Sequence, residues 1–127
     1  MTSAADLDVL IVDDHEAMRT LLTRGLQKAG VERIRTAAGG AEALATLRGR
    51  AANLVLADQN MPGMDGLALL AAVRGDAALG AARFIMISGH ASVEYAEQAR
   101  AAGADAVLVK PVSLRDLLAT INGLFAV

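Results

Sequence analysis

The chain lacks cysteine and tryptophan and is poor in other aromatic residues and in proline. Its 127 residues include no Cys, no Trp and two Pro, and aromatic residues make up 2%. Without cysteine, the chain has neither a disulfide framework nor a thiolate metal site. The N-terminal residues carry Asp6 and Asp8 and no basic cluster, unlike a secretory signal. Because no uncharged run reaches the roughly 20 apolar residues of a spanning helix, we expect a cytoplasmic protein without membrane insertion.

Charge and length narrow the class further. Twelve basic and 14 acidic residues give a formal net charge of −2, which does not favour nucleic acid as a partner. A chain of this length fits one domain with one hydrophobic core, which we expect to include about residues 7–125 of the domain 1–127. Alanine occupies 28 positions, which favours closely packed helices over an aromatic-rich sandwich.

Apolar runs alternate with helical periodicity along the chain. Apolar runs predict five strands, at residues 7–12, 31–37, 54–58, 83–88 and 106–109. Apolar residues at helical spacing predict five helices, at about residues 15–29, 41–49, 64–73, 93–102 and from 113 to about Asn122-Gly123. This alternation predicts an α/β fold, in which helices cover both faces of a doubly wound parallel sheet.

The third predicted strand ends on a carboxylate. Leu54-Val55-Leu56-Ala57 is followed by Asp58, and Met61-Pro62-Gly63 then forms a turn. Asp58 is therefore expected at the carboxyl edge of the sheet, where open α/β sheets bind ligands. A lone aspartate at a strand end is also common simply as a turn residue. Whether Asp58 has a functional role therefore depends on the residues at the other strand ends.

Polar side chains end four of the five predicted strands. Asp13 and Asp14 follow the first, Asp58 ends the third, Ser88 ends the fourth and Lys110 follows the fifth. If the first and third strands are neighbours, their ends lie about 4.8 Å apart, and three carboxylates there would repel one another unless a cation neutralised them. Oxygen ligands without His or Cys indicate Mg²⁺ rather than zinc. Alternatively, Asp13 and Asp14 simply favour the N-terminus of the next helix.

Lys110 and Ser88 add groups that suit a bound anion. A lysine is a mobile point charge, and a serine hydroxyl can donate to an anion's oxygen. Each residue also has a purely structural interpretation: Lys110 as a surface lysine, and Ser88 as a hydroxyl that is hydrogen-bonded at the end of its strand. Pro111 directly after Lys110 predicts a cis peptide bond that aims the lysine. Together with Asp58 as nucleophile and a metal, these groups suit phosphoryl transfer to an aspartate. Because no nucleotide-binding glycine motif is present, the donor must be external.

These motifs in combination resemble the receiver domains of two-component response regulators, the CheY-like family. The resemblance spans about residues 7–125 and is based on Asp13-Asp14, on the run DQNMPGMDG at 58–66, on Ser88-Gly89 and on Lys110-Pro111. The strand order 2-1-3-4-5 of the flavodoxin-like fold is implied by this resemblance and not by the apolar pattern.

The resemblance also implies an activity and a ligand set. Asp58 would accept a phosphoryl group from a histidine kinase or a histidine phosphotransfer protein. Mg²⁺ would be bound by Asp14, Asp58 and the backbone carbonyl of Asn60, with Asp13 acting directly or through water. The chain would not be an enzyme in the ordinary sense, because it would catalyse only its own phosphotransfer and autodephosphorylation.

The residues of the switch follow from the same resemblance. Ser88 would be the switch hydroxyl and Lys110 the lysine that contacts the phosphate. Family members usually place an aromatic residue three positions before the lysine, where this chain has Val107, so the usual coupling is in question; Val107 is also explained as simple core. His90 lies where it could modulate dephosphorylation, or it is an exposed loop histidine. Tyr95 is a candidate partner contact.

Three functional classes remain. The chain ends after the fifth predicted helix, so we expect a stand-alone receiver that signals by protein–protein contact. Its downstream target would bind the face formed by the fourth helix, fifth strand and fifth helix. A pseudo-receiver would dock or dimerise without phosphorylation. A small phosphohydrolase would need an acid/base carboxylate two residues after the nucleophile, where Asn60 stands.

Overall fold

Strands and helices alternate along the whole described chain. The computed structural model describes residues 3–89 and 92–125. After a 3₁₀ turn at Ala4–Asp6 the elements are β1 (Asp8–Val12), α1 (Glu16–Lys28), β2 (Arg33–Ala37), α2 (Gly40–Gly49), β3 (Leu54–Asp58), α3 (Gly66–Gly75), β4 (Arg83–Ser88), α4 (Val93–Ala101), β5 (Ala106–Val109) and α5 (Leu114–Phe125). Among these residues, none of the helices has the length and apolar character needed to cross a bilayer.

The five strands form one parallel sheet in the order β2-β1-β3-β4-β5. The predicted fold class and strand order are therefore confirmed. Val12 pairs with Ala57, and Asp58 pairs with Ile87 on the next strand. These pairings bring the last residues of β1, β3, β4 and β5 to the same edge of the sheet.

Side chains alternate between the two faces of the sheet, as the period of two in a strand requires. Even-numbered and odd-numbered positions of one strand therefore enter different cores. One core packs under α2, α3 and α4 and contains Leu10, Val12, Val55, Ala57, Phe84 and Met86. The other packs under α1 and α5 and contains Val9, Ile11, Leu54, Leu56, Ile85 and Ile87. Such burial on both faces explains why the strands are continuously apolar.

Two predicted helix ends were wrong, each for a local physical reason. The third helix begins at Gly66 and not at residue 64, because the Asp65 carboxylate accepts a hydrogen bond from Ala68 N–H at 2.9 Å and caps the helix. The fifth helix passes through Asn122-Gly123 and reaches Phe125. Its buried residue Ile121 and the partly buried Leu124 and Phe125 pack on the core, and this packing outweighs the poor helix propensity of Asn and Gly.

Candidate functional site

Three aspartates meet at the carboxyl edge of the sheet. Asp13 and Asp58 are each 2% exposed, whereas Asp14 lies nearer the solvent. One ligand atom from each of these residues and from His15 can be chosen so that all four lie within 4.8 Å of one another. The structure therefore brings together the carboxylates of two separate strand ends that the sequence predicted to be neighbours.

Backbone hydrogen bonds fix the first pair of carboxylates. Asp13 N–H donates to Ala37 O at 3.1 Å and extends the ladder between β1 and β2 by one residue. The Asp13 carboxylate then accepts from His15 N–H at 2.9 Å, and Arg19 donates to Asp13 O at 2.8 Å. These contacts join the end of β1 to the start of α1, so the position of the carboxylate is set by the fold itself.

Lys110 reaches Asp58 across the end of β4. Its backbone N–H donates to Ser88 O at 2.8 Å, and the Lys110–Pro111 peptide bond is cis, as predicted. The ammonium Nζ lies 3.1 Å from Asp58 Oδ1, which also accepts from Asn60 N–H at 3.3 Å. Both contacts are to Oδ1, so Oδ2 is the oxygen of Asp58 that these two groups leave available for a ligand.

Ser88 is fully buried, and its hydroxyl donates a hydrogen bond to Gln59 Oε1. The backbone carbonyl of Ser88 accepts from Lys110 N–H, whereas its hydroxyl is bonded to Gln59, the residue that follows Asp58. Val107 is partly buried against the core under α2, α3 and α4, which agrees with its interpretation as a core residue. His90 lies outside the described residues.

Tyr95 lies closer to the site than its position on α4 suggested. Its ring packs on the same core as Val107, and its phenolic oxygen is buried. Burial raises the pKa of Tyr95 to about 12, and the charges of Asp65 and Asp58 act in the same direction. The side chain therefore senses the charge of the phosphoacceptor candidate.

Sequence reasoning missed two residues of this site. His15 was excluded when the ligand set was taken to be free of histidine, yet its Nδ1 lies 3.2 Å from one carboxylate oxygen of both Asp13 and Asp14. Its position next to Asp14 was the available signal. Gln59 was quoted only within the run DQNMPGMDG and given no role, although it directly follows Asp58 and would pair with Ser88 if the register were continued by one residue.

The donor set fits Mg²⁺. Asp13, Asp14 and Asp58 supply hard oxygen ligands at mutual distances that one ion can bridge. Asn60 borders the same open depression as Asp14 and His15, so it lies beside the carboxylates that would hold the ion. Lys110 forms a salt bridge with Asp58 and brings one positive charge to three carboxylates, so a divalent cation would relieve the remaining repulsion.

The fold is an open α/β sheet, and the candidate site lies where its parallel strands end, the edge at which such sheets bind ligands. The family model of the response regulator receiver domain matches residues 9–122, and the chain belongs to this family. Proteins of this kind are signalling proteins and not classical enzymes.

Two curated relatives bear the names of chemotaxis proteins. The chain is 34% identical to a probable chemotaxis protein CheY of Rhizobium etli, over 98% of this chain and 97% of that protein. It is 32% identical to chemotaxis protein CheY-3 of Vibrio cholerae, over 94% and 92% of the two chains.

Solved structures agree with the fold. CheY4 of Vibrio cholerae superposes with a TM-score of 0.86 at 34% identity, over 92% of this chain and 97% of that one. CheY in a CheX–CheY–BeF3–Mg²⁺ complex from Borrelia burgdorferi gives a TM-score of 0.88 at 30% identity, over 94% and 89% of the chains.

Proposed function

We propose that the chain is a stand-alone receiver that accepts a phosphoryl group on Asp58. The observation that carries this proposal is the 3.1 Å contact between Lys110 Nζ and Asp58 Oδ1 at an edge that also gathers Asp13 and Asp14. The donor would be a phosphohistidine of a histidine kinase or of a histidine phosphotransfer protein. This agrees with the chemotaxis names of its relatives.

The proposed transfer is a single displacement at phosphorus. Asp58 Oδ2 forms the new O–P bond while the N–P bond of the phosphohistidine breaks, and the bonding pair leaves with the imidazole nitrogen. Lys110 and Asn60 N–H hold Oδ1, so that the carboxylate faces the donor in one orientation. Because both groups are in place before the donor arrives, little reorganisation is needed.

Asp14, Asp58 and the Asn60 carbonyl would hold Mg²⁺, with Asp13 acting directly or through water. When bound, the ion supplies positive charge for the transferring phosphoryl oxygens. Lys110, which follows β5, supplies the second positive charge, with its Nζ 3.1 Å from Asp58 Oδ1.

The phosphorylated protein would signal through a surface and not through a second reaction. A new dianion at Asp58 would attract Lys110 and the Ser88 hydroxyl, and movement of Ser88 would be transmitted to α4. We propose that the face of α4, β5 and α5 binds the target protein. The proposed kinase partnership also places the chain in the cytoplasm, and we propose neither a nucleic acid nor a membrane as partner.

Intact-mass measurement after incubation with Mg²⁺ and acetyl phosphate tests the proposal. We expect a gain of one phosphoryl group in the wild type, none in Asp58→Asn and none when EDTA replaces Mg²⁺. The matched control is Glu32→Gln, which removes an exposed carboxylate directly before β2, at the opposite edge of the sheet, and leaves the gain intact.

Each of the other two classes predicts a different outcome. No gain in the folded wild type would support a pseudo-receiver that docks or dimerises without phosphorylation. Multiple turnover of several phosphate esters would support a phosphohydrolase. Either result would contradict the proposed function.

A further inference from the structure

We propose that Gln59 is a positioning residue that holds the Ser88 hydroxyl in the unphosphorylated protein, so that an anion at Asp58 has to displace Gln59 from Ser88. The juxtaposition behind this proposal is the hydrogen bond from Ser88 Oγ to Gln59 Oε1. The inference rests on the proposed function, because it concerns the hydroxyl that would meet the phosphoryl group.

The backbone of Gln59 is held from two sides. Its N–H donates to Ile87 O at 2.8 Å, and its carbonyl accepts from Gly66 N–H at 3.0 Å. Gly66 allows this close approach, because a Cβ there would lie 2.7 Å from Asp58 O and 2.9 Å from Gln59 Cα. The amide side chain therefore starts from a fixed point beside the end of β4.

The alternation of side chains puts Gln59 and Ser88 on one face of the sheet. Val55 and Ala57 on β3 and Phe84 and Met86 on β4 enter the core under α2, α3 and α4, and Gln59 and Ser88 continue these two series. Asp58 belongs to the opposite series and contacts Lys110. In the unphosphorylated protein, the Ser88 hydroxyl therefore bonds to Gln59 on one face of the sheet, and Asp58 contacts Lys110 on the opposite face.

A serine hydroxyl has one proton to donate. The Gln59 amide oxygen can only accept, so the proton on this bond is the proton of Ser88. While it is donated to Gln59, it cannot be donated to an oxygen of a phosphoryl group. Since Ser88 is fully buried, the hydroxyl gives up a protein hydrogen bond and not a water when it turns to the anion.

The expected effect follows from the usual net contribution of one hydrogen bond, which corresponds to a factor of about five in an equilibrium constant. Without the acceptor at position 59, an anion would no longer have to displace the bond from Ser88 to Gln59, and binding of a phosphoryl analogue would tighten by about that factor. The effect should depend on the Ser88 hydroxyl and on nothing else in the site.

The experiment is a double-mutant cycle on the affinity for beryllofluoride in saturating Mg²⁺, measured by calorimetry. The variants are Gln59→Met, which keeps the length of the side chain without its acceptor, Ser88→Ala, and the two combined. We expect Gln59→Met to bind beryllofluoride about fivefold tighter than the wild type. In the Ser88→Ala background we expect the same change at position 59 to have no effect.

Two outcomes would overturn the inference. One is equal or weaker binding by Gln59→Met, and the other is the same tightening with and without the Ser88 hydroxyl. Gln59→Leu serves as a second variant if Gln59→Met is unfolded by circular dichroism. Asp58→Asn separates this inference from the proposed function: beryllofluoride binding that survives in Asp58→Asn contradicts the function, whereas an unchanged Gln59→Met contradicts only the role of Gln59.

Discussion

Carboxylates at the amino end of the sheet are paired with arginines, whereas three carboxylates lie together at the carboxyl end and one of them, Asp58, is paired with a lysine. At the amino end, Asp105 accepts from Arg74 Nη2 at 3.0 Å, from Arg83 Nη1 at 3.1 Å and from Phe84 N–H at 2.8 Å. Both oxygens of this carboxylate are used, and its charge is balanced within the protein.

Asp8, at the same end of the sheet, is also paired with arginines. Its two carboxylate oxygens face Arg35 Nη2 at 3.0 Å and Arg50 Nε at 3.3 Å. At the other end Asp13, Asp14 and Asp58 lie within reach of one another, with Lys110 Nζ against Asp58 and the Arg19 guanidinium at the backbone carbonyl of Asp13.

The carboxylates at the amino end therefore stabilise the fold through their ion pairs, whereas those at the carboxyl end are arranged to bind a ligand. Breaking a partly buried, well-paired network leaves a charge uncompensated and lowers stability. Removing one member of a crowded like-charge cluster relieves repulsion instead. Equivalent substitutions at the two ends should therefore change the free energy of unfolding in opposite directions.

The largest effect is expected for Arg74→Met. The Arg74 guanidinium donates to Asp105, to Gly103 O and to Gly80 O, and thereby ties α3 to the segments before β4 and β5. Its loss leaves the Asp105 carboxylate and several carbonyls short of partners, so we expect a loss of about 3 kcal/mol in the free energy of unfolding. Urea unfolding followed by circular dichroism measures it.

Arg50→Met is the matched control for Arg74→Met. Arg50 also pairs with an aspartate at the amino end, but its side chain is 62% exposed. An exposed ion pair contributes little, so we expect a loss below about 0.5 kcal/mol. Equal losses in the two variants would contradict the claim that burial of the Arg74 network is what stabilises this end.

The strands were predictable from the sequence because burial on both faces leaves a strong local signal, whereas their order followed from the family resemblance. The run Leu54–Asp58 is apolar up to its last residue, and all five residues are buried. Helix ends were less predictable, because they depend on partners distant in sequence. Asn122-Gly123 suggested an end, but contacts of Leu124 and Phe125 with the core keep α5 helical.

The site was predictable where it depends on strand ends and unpredictable where it depends on side-chain direction. Topology alone predicts that Asp58 and Lys110 share an edge. The contacts of His15 Nδ1 and of Gln59 Oε1 depend on rotamers that no periodicity encodes. Val107 is a further example. The sequence shows that it replaces the aromatic residue usual in the family, but it does not show that Val107 and Tyr95 pack against the same core.

The second largest effect concerns Tyr95, the only tyrosine in a chain without tryptophan. Its absorbance at 295 nm therefore reports one group. We expect a midpoint near 12 in the folded protein, because burial and then Asp65 and Asp58 raise the pKa from 10.0. The folded state holds the phenol proton more tightly than the unfolded state. This contribution to stability is complete below pH 10 and is lost as the pH rises through about 12.

Asp65→Asn sharpens the Tyr95 measurement. Asparagine can still accept from Ala68 N–H and cap α3, so the change removes charge and keeps the helix start. We expect the pKa of Tyr95 to fall, and to fall more than in Asp58→Asn, because the charge of Asp65 contributes more. A midpoint near 10 in wild-type protein that circular dichroism shows to be folded would contradict the burial of the phenol.

The smallest effect compares Asp13→Asn with Asp8→Asn. In metal-free buffer, Asp13→Asn removes one charge from the cluster, while its amide oxygen can still accept from His15 N–H. We expect the free energy of unfolding to rise by about 1 kcal/mol. Asp8→Asn removes the partner of Arg35 and Arg50, and we expect a fall of similar size.

Addition of Mg²⁺ completes the comparison of the two aspartates. A ligand that binds only the folded state raises its stability, so the wild type and Asp8→Asn should gain while Asp13→Asn gains less. Urea unfolding of the three proteins with and without the ion measures this. If Asp13→Asn and Asp8→Asn changed stability with the same sign in metal-free buffer, the contrast between the two ends of the sheet would be wrong. The carboxyl end would then be an ordinary paired surface.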